Sequence, residues 1–358
     1  MLHPGPLIPA GAIDIAVEHG ATAALDRAAA ADTADHGFLR AAWYAAAASG
    51  GTRMRTLVAR RSGSVEVAAA IPLLRRRLGP LSIGEVPGSY WPFRSFPIAA
   101  DVHEDEIATL LATPEARSEL GFAWRLGPVY ADDPTLRRLT GAAPAAGWTL
   151  LSRRVATCYT VDLAKLRVDP NWPGGKRRQK NRRLERLLGE HGEVTVTTVT
   201  GRAWTGEIFD ALAAIEAESW VAHKASPRDT KFLHRPNRRI WERAVEDAEL
   251  AGRLGCLLLS AGATPAAFVL TLDAGPIRHI LANSYCERFA NAGPGILSLH
   301  RAFEAALAEG FERIGWGAGD PGYKSDMGAE PGPEIVDVLL VRGPLARLAR
   351  LAWRSRGD

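Results

Sequence analysis

The sequence predicts an α/β fold with a mixed sheet, built as two similar units. Two observations in the second half carry this reading. Strand-like runs at 254–260, 265–273 and 277–286 follow one another across short turns, which makes them antiparallel neighbours. The last run then passes through a helix at 295–310 to the strand FERIGW, and a strand–helix–strand passage places its two strands parallel. A third observation extends the pattern: the first half shows a fainter version, in the order helix, two strands, long irregular crossing, helix, strand. At 358 residues the chain exceeds the usual single-domain size, so two domains are expected, 1–165 and 166–358.

Taken in order, residues 26–49 read as helix, although their alanine runs carry little weight. Ala, Arg and Gly are abundant and Lys occurs only six times, which looks like a coding bias. MRTLVARR and VEVAAAIPLL are strand-like runs separated by SGS. The passage LGPLSIGEVPGSYWPFRSFPIAAD holds too many turn residues for a long helix. DEIATLLATPEARSEL is helical with an acidic first turn, and FAWRLGPVY is a strand. From 131 the chain reads as irregular until a strand at 155–163. After the glycine pair at 174–175, residues 176–189 form a helix, and VTVTTVT at 194–200 is a strand. IFDALAAIEAESW places Ile208, Leu212, Ile215 and Ser219 on one helical face. RRIWERAVEDAELAG is a further helix closed by Gly252, and IVDVLLVRG is the final strand.

Hydrophobic residues at 47% and charged residues at 23% describe a globular chain. No Lys or Arg precedes Arg27, so no signal peptide is expected, and the apolar tract 256–272 is broken by Ser260, Gly262 and Pro265, which argues against a membrane span. Cys158, Cys256 and Cys286 are too scattered for a disulfide framework or a zinc site, and a reduced cytoplasmic location fits them. Histidines lack metal spacing, and neither a Gly-x-Ser-x-Gly nor a Walker loop occurs, so no metal is expected. The net charge of +4 is concentrated in one place. Residues 171–190 hold 7 basic and 2 acidic side chains, whereas 1–170 hold 18 and 17, and 191–358 hold 19 and 21.

Four stretches offer chemistry. In NSYCERFANAGPGILSLH a strand ends in a glycine-rich loop that feeds a helix, and free amides at a helix N-terminus suit phosphate oxygens. An ordinary turn is the bland account of that pattern. The loop GAGDPGYKSDMG, 317–328, sets Tyr323 and Lys324 among glycines with Asp320 and Asp326 nearby, either as a decorated turn or as a loop held against a ligand. Glu218, Ser219 and Trp220 close a helix: Trp220 lines an acceptor pocket or simply packs, and Glu218 is a candidate base. Lys176, Arg177, Lys180 and Arg183 share a face of the basic helix, which is either a solvated face or a grip for phosphates, a carboxylated acceptor or a tRNA backbone. Trp172 is the one nearby aromatic that would stack on bases, so nucleic acid is disfavoured.

The stretches KRRQKNRRLERL, IEAESWVAHKAS, YCERFANAGPGILSLHRAFEAALAEG and WGAGDPGYKSDMG together resemble the GNAT superfamily of acyl-CoA-dependent N-acyltransferases. More narrowly they resemble its CelD/BcsL-type branch, associated with cellulose and exopolysaccharide, whose tandem build is shared with the FemAB aminoacyltransferases. The first half matches loosely, through RTLVARRSGSVEVAAAIPLLRRRLG and WPFRSFP.

The resemblance implies a splayed sheet with acyl-CoA between two parallel strands and no metal. The cofactor pyrophosphate would rest on Gly293–Gly295 and the first turn at Ile296, with Asn283, Ser284 and Tyr285 beside the thioester. The superfamily pattern Gln/Arg-x-x-Gly-x-Gly/Ala is met at Gly293 and Gly295, but Ala290 stands at its first position and Pro294 removes an amide donor. Tyr323 would protonate the leaving thiolate, Lys324 would pair with a substrate carboxylate or a CoA phosphate, and Asp320 would take the amine's proton. The acceptor would be an amine of a small molecule or saccharide, bound near Trp220 and the basic helix, with the N-terminal copy non-catalytic and helping to form the acceptor cleft. Two rivals stand beside this: FemAB-type transfer from charged tRNA, and a non-catalytic module in polysaccharide assembly.

Overall fold

The computed structural model describes residues 13–48, 53–78, 81–88, 90, 92–224, 227–320 and 322–353. The leader reading of residues 1–12, Trp91 of WPFRSFP and Pro321 of the glycine loop lie outside these. The chain forms two compact units, Met1–Thr157 with Pro333–Asp358, and Cys158–Gly332. The division expected at 165 thus falls at 157, and the C-terminal segment returns to the first unit. The reason is long-range strand pairing that no local pattern announces.

The first unit contains β1 (Ile13–His19), α1 (Ala23–Ala31), α2 (Ala41–Ala47), β2 (Arg55–Arg61), β3 (Val67–Leu78), β4 (Leu81–Glu85), α3 (Glu104–Ala112), α4 (Pro114–Leu120), β5 (Ala123–Tyr130), α5 (Pro134–Ala145) and β6 (Trp148–Asp162), which runs on into the second unit. The second unit contains α6 (Leu163–Val168), α7 (Gly175–Gly189), β7 (Val194–Val199), α8 (Gly206–Ala217), α9 (Trp220–Lys224), α10 (Arg235–Ala244), α11 (Ala248–Arg253), β8 (Leu254–Ala261), β9 (Thr264–Ala274), β10 (Ile277–Tyr285), α12 (Pro294–Ala308), β11 (Arg313–Ala318) and α13 (Tyr323–Asp326). The chain then returns through β12 (Glu330–Arg342) and α14 (Leu345–Ala352).

In the first unit the strand order is β1-β2-β3-β4-β5-β12-β6, with β4 and β5 parallel and β12 antiparallel to β5. In the second it is β6-β11-β10-β9-β8-β7, with β10 and β11 parallel and the other registered neighbours antiparallel. The fold is the mixed α/β one expected. Its second-half strands fall where alternation and turn residues put them, because each apolar run is bounded by Gly, Pro or Asp.

Several local expectations change. The helix over 26–49 is two helices with a 3-10 turn at Ala34–His36 between them. RRIWERAVEDAELAG likewise divides, because Asp247 accepts from the Leu250 amide at 2.8 Å and starts a new helix. The stretch read as irregular contains α5, started by Asp133, whose carboxylate accepts from the Leu136 amide at 2.9 Å, with Pro134 in its first turn. Four-residue α13 stands in the loop read as wholly irregular, and β1, β4 and α14 were not anticipated.

The core of the second unit that bears on function gathers Phe303, Leu299, Ile314, Trp316, Ile280 and Val161, with Trp172, Ile296 and Tyr323 packed at its edge. Among the described residues no helix is long and apolar enough to cross a membrane, and no group of three His, Cys, Asp or Glu side chains could hold a metal ion.

Candidate active site

The site begins where two parallel strands part. β10 and β11 share a ladder over Ile277–Arg313, Arg278–Ile314 and His279–Gly315, and the register stops there. Each strand stays paired on its far side, β10 with β9 as far as Tyr285–Ala267 and β11 with β6 at Ala318–Cys158. Both outer ladders are irregular at this height: β10 bulges between Ile280 and Ala282, and β11 between Gly315 and Ala318. A bulge adds twist and bends its strand, so two of them turn the strands apart. The His279 ring lies against Gly315, where a Cβ would run into it. Burial, with the Arg313 charge adding to it, lowers His279 to about 3, so this wedge is a neutral imidazole.

Beyond β10 a 3-10 turn, Glu287–Ala292, leads to the glycine loop. Gly293 has φ 57°, a conformation that costs other residues, and it closes the turn while starting α12. Its carbonyl takes the amides of Ile296 and Leu297, both at 3.1 Å. Pro294 has no N–H, and among the described residues nothing accepts from the Gly295 amide. A single amide is therefore left for an anion here, fewer than the loop suggested.

The two glycines are explained by packing. A Cβ on Gly295 would meet the Tyr285 ring at 2.8 Å, and one on Gly293 would meet Leu184 of α7 at 3.0 Å. Asn283 also faces α12, donating to Ser298 Oγ at 3.2 Å and to the Phe268 carbonyl at 3.1 Å. Ser284 is buried, and its hydroxyl has no partner among the described residues. Ile296 is half-buried against the core.

At the end of β11 the tyrosine–lysine pair divides its labour. Tyr323 is half-buried, its ring edge-on to Trp316 with centroids 5.6 Å apart, and Trp316 in turn meets Phe303 at 5.2 Å. Burial, then the Asp320 charge, holds this phenol above its ordinary range, so it keeps its proton at neutral pH. Lys324 points the other way. Its ammonium is buried and donates to the carbonyls of Trp316 at 2.6 Å, Ala318 at 3.2 Å and Gly317 at 3.5 Å. That geometry corrects its expected role: with three donors on three carbonyls, Lys324 clamps the end of β11 and is not presented to a cofactor phosphate. Burial pulls it below the usual lysine range, against the opposing influence of Cys158 and Asp320.

Asp320 is corrected in the same way. Its carboxylate accepts from the Gly322 amide at 2.7 Å, the Lys324 amide at 3.1 Å, the Ser325 amide at 3.2 Å and the Ser325 hydroxyl. These bonds, the hydroxyl first, hold its carboxyl below the usual range. It organises the loop and is poorly suited as a base.

Glu218 ends α8 and pairs with Arg288 at 3.0 Å, and its carbonyl accepts from the Glu287 amide at 2.9 Å. Trp220 is exposed, at 48%. The structure therefore sets Glu218 at the turn after β10 and Tyr323 at the end of β11. Lys176, Lys180 and Arg183 are exposed on α7, and Arg177 donates to the Asp326 carbonyl at 3.2 Å, which brings the basic helix to the tyrosine loop. Gly174, Gly175, Lys176, Arg177 and Lys180 line a hollow of about 540 Å³ at the start of α7. Helix N-terminus and three cations act there together.

Sequence reasoning missed the clamp made by Lys324, and the low lysine count does not signal it, since Lys176 and Lys180 are exposed.

Residues 175–325 match the profile of a family described as an acetyltransferase (GNAT) domain. Solved structures share the fold over nearly the whole chain. FemX matches with a TM-score of 0.57 at 15% identity, covering 87% of this chain and 94% of its own. The C-terminal domain of an Agrobacterium fabrum protein named as a candidate lysylphosphatidylglycerol synthetase matches with a TM-score of 0.55 at 14% identity, covering 93% and 95%. L-PGS from Bacillus licheniformis matches with a TM-score of 0.51 at 12% identity, covering 92% and 94%. At these identities the likeness is one of fold. No curated protein sequence matches the chain.

Proposed function

We propose that the chain is an acyl-CoA-dependent N-acyltransferase with its chemistry in the second unit, acting on an amine of a small molecule or saccharide precursor in the manner of the CelD/BcsL-type branch. The observation that carries this reading is the parting of β10 from β11 beyond His279 and Gly315, with a protonated phenol, Tyr323, following β11. Backbone freed by parted strands can polarise a thioester carbonyl and hold a pantetheine arm in extended form. The amine nitrogen attacks the thioester carbonyl carbon, the C–N bond forms and the C–S bond breaks. The sulfur leaves as a thiolate and takes the Tyr323 proton, while the amine's surplus proton passes to solvent and the phenolate is reprotonated from it. Asp320 and Lys324 organise the loop that carries the phenol. With one amide left at Gly295, the cations at the start of α7 supply the remaining attraction for cofactor phosphates. Calorimetric titration with acetyl-CoA and longer acyl-CoAs tests the reading: saturable binding is expected, and its absence across the series would overturn it.

The density of positive charge on α7 favours one second reading, aminoacyl transfer from a charged tRNA. Seven cations lie within residues 176–186, and FemX has the same fold. Binding of tRNA that weakens steeply with salt, without CoA binding, would select it.

A further inference from the structure

α7 and α12 leave a cavity of about 170 Å³ between them, away from the tyrosine loop's own contacts. Its charged and polar lining is Arg178, Asn181, Arg182 and Glu185 of α7 with His300, Arg301 and Glu304 of α12. His300 is 5% exposed, and among the described residues neither ring nitrogen has a hydrogen-bond partner. The Asn181 Oδ1 is likewise buried and unpartnered. Buried polar atoms are nearly always satisfied, so three such atoms around one cavity mark a missing partner. Arg301 is committed to Glu185 and Glu304, each at 3.0 Å. Among the described residues the Arg178 side chain reaches only the Asn171 carbonyl, at 3.3 Å, and Arg182 has no carboxylate partner; both are exposed. Three arginines and two glutamates line the cavity, so its lining carries one net positive charge beside the unpartnered polar atoms.

We infer that this cavity binds a phosphoryl oxyanion, held by Arg178 and Arg182 and hydrogen-bonded by His300 and Asn181. Burial first, then the charges of Arg177 and Arg301, lowers His300 to about 4, so the imidazole is neutral and offers one donor and one acceptor. A carboxylate only accepts, whereas inorganic phosphate near neutrality keeps an O–H that Asn181 Oδ1 can receive while its other oxygens meet the guanidinium groups.

Inorganic phosphate is the probe, so the result does not depend on the acyl-CoA reading. In the full chain, the side-chain ¹⁵N resonances of His300 are followed at constant ionic strength and pH 7. Phosphate should move them saturably, while sulfate, which has no proton to donate, and acetate should bind more weakly. Arg182→Gln, a surface change, should weaken phosphate about tenfold, and His300→Gln should abolish the saturable response seen at Asn181. A response shared equally by chloride, acetate or sulfate, or one untouched by Arg182→Gln, would overturn the assignment. Competition by CoA but not by dephospho-CoA, stronger at pH 6 where the monoester keeps an O–H, would support it and name the cofactor's 3′-phosphate as the source. Failure of both to compete, with phosphate still bound, would support it with free phosphate or another phosphorylated ligand.

Discussion

Both units contain a pair of parallel strands that separate, and they treat the gap in opposite ways. In the first unit β4 and β5 pair at Gly84–Trp124 and Glu85–Arg125, after which the protein fills the space itself. The Gly127 amide donates to the Arg94 carbonyl at 3.1 Å, the Arg94 amide donates to Pro128 at 3.4 Å, and Phe93 bridges to Val129. Buried Glu85 then accepts from Arg94 and Arg125, at 3.3 and 3.4 Å, and buried Asp337 binds Arg125 and Arg153. In the second unit, among the described residues, no chain segment is hydrogen-bonded between β10 and β11 beyond His279–Gly315, and the Lys324 ammonium binds the last carbonyls of β11. The same strand arrangement is therefore a structural joint in one place and a candidate active site in the other. What separates them is whether a segment of chain is threaded into the gap.

The largest expected effect sharpens this contrast. Tyr323→Phe should lower kcat about 100-fold with unchanged stability, as loss of a general acid does. Glu85→Gln in the first unit should leave kcat within about twofold while lowering the denaturation midpoint. Steady-state kinetics beside chemical denaturation checks both, and equal losses of kcat would erase the functional difference between the gaps.

Next comes the clamp. Lys324→Met removes three donors from buried carbonyls and should cost about 3 kcal/mol of stability. Lys324→Arg should recover less than half of that, because a planar fork cannot follow the ammonium's three directions. Urea unfolding of the three proteins reads this directly, and full recovery by arginine would mean that charge alone matters.

The last comparison concerns the first unit and pH. His36 is buried between Asp32 and Asp133, with both contacts at 3.0 Å. Burial alone would lower it, but the Asp133 charge and the hydrogen bonds to Asp133 and Asp32 raise it to about 10. A histidine raised above its ordinary 6.5 contributes stability that is full below that pH and fades as pH climbs towards 10. The unfolding midpoint should therefore fall across that window in the native chain and change less in His36→Gln. No pH-dependent difference between the two proteins would remove this network from the account of the first unit.

Much of the second unit was legible. The runs 254–260, 265–273 and 277–286 became β8, β9 and β10, because alternation and turn residues act over neighbouring positions. The helix after Gly293 and the strand before Tyr323 were legible for the same reason. α5 was overlooked although Asp133 and Pro134 announce a helix start, a signal outweighed by the surrounding alanine and glycine. At the site, the positions of Gly293, Gly295 and Tyr323 could be read, but the roles of Gly295, Asp320 and Lys324 could not. Gly295 yields to the Tyr285 ring, Asp320 binds amides two to five residues on, and Lys324 is defined by the carbonyls of Trp316 to Ala318. Such roles depend on which atoms a side chain meets after folding.

By itself the sequence determined the strands of the second half and the helices α7, α8 and α12, the crossover that makes β10 and β11 parallel, and the concentration of positive charge on α7. These follow from periodicity, turn chemistry and composition, each a property of neighbouring residues. Only the tertiary structure decided that β12 would pair with β5, that a chain segment would be hydrogen-bonded beside the β4–β5 parting, and that the lysine beside Tyr323 would be buried. Sheet partners and burial are settled by contacts between residues far apart in the chain, as the Arg125–Asp337 pair at 2.7 Å shows.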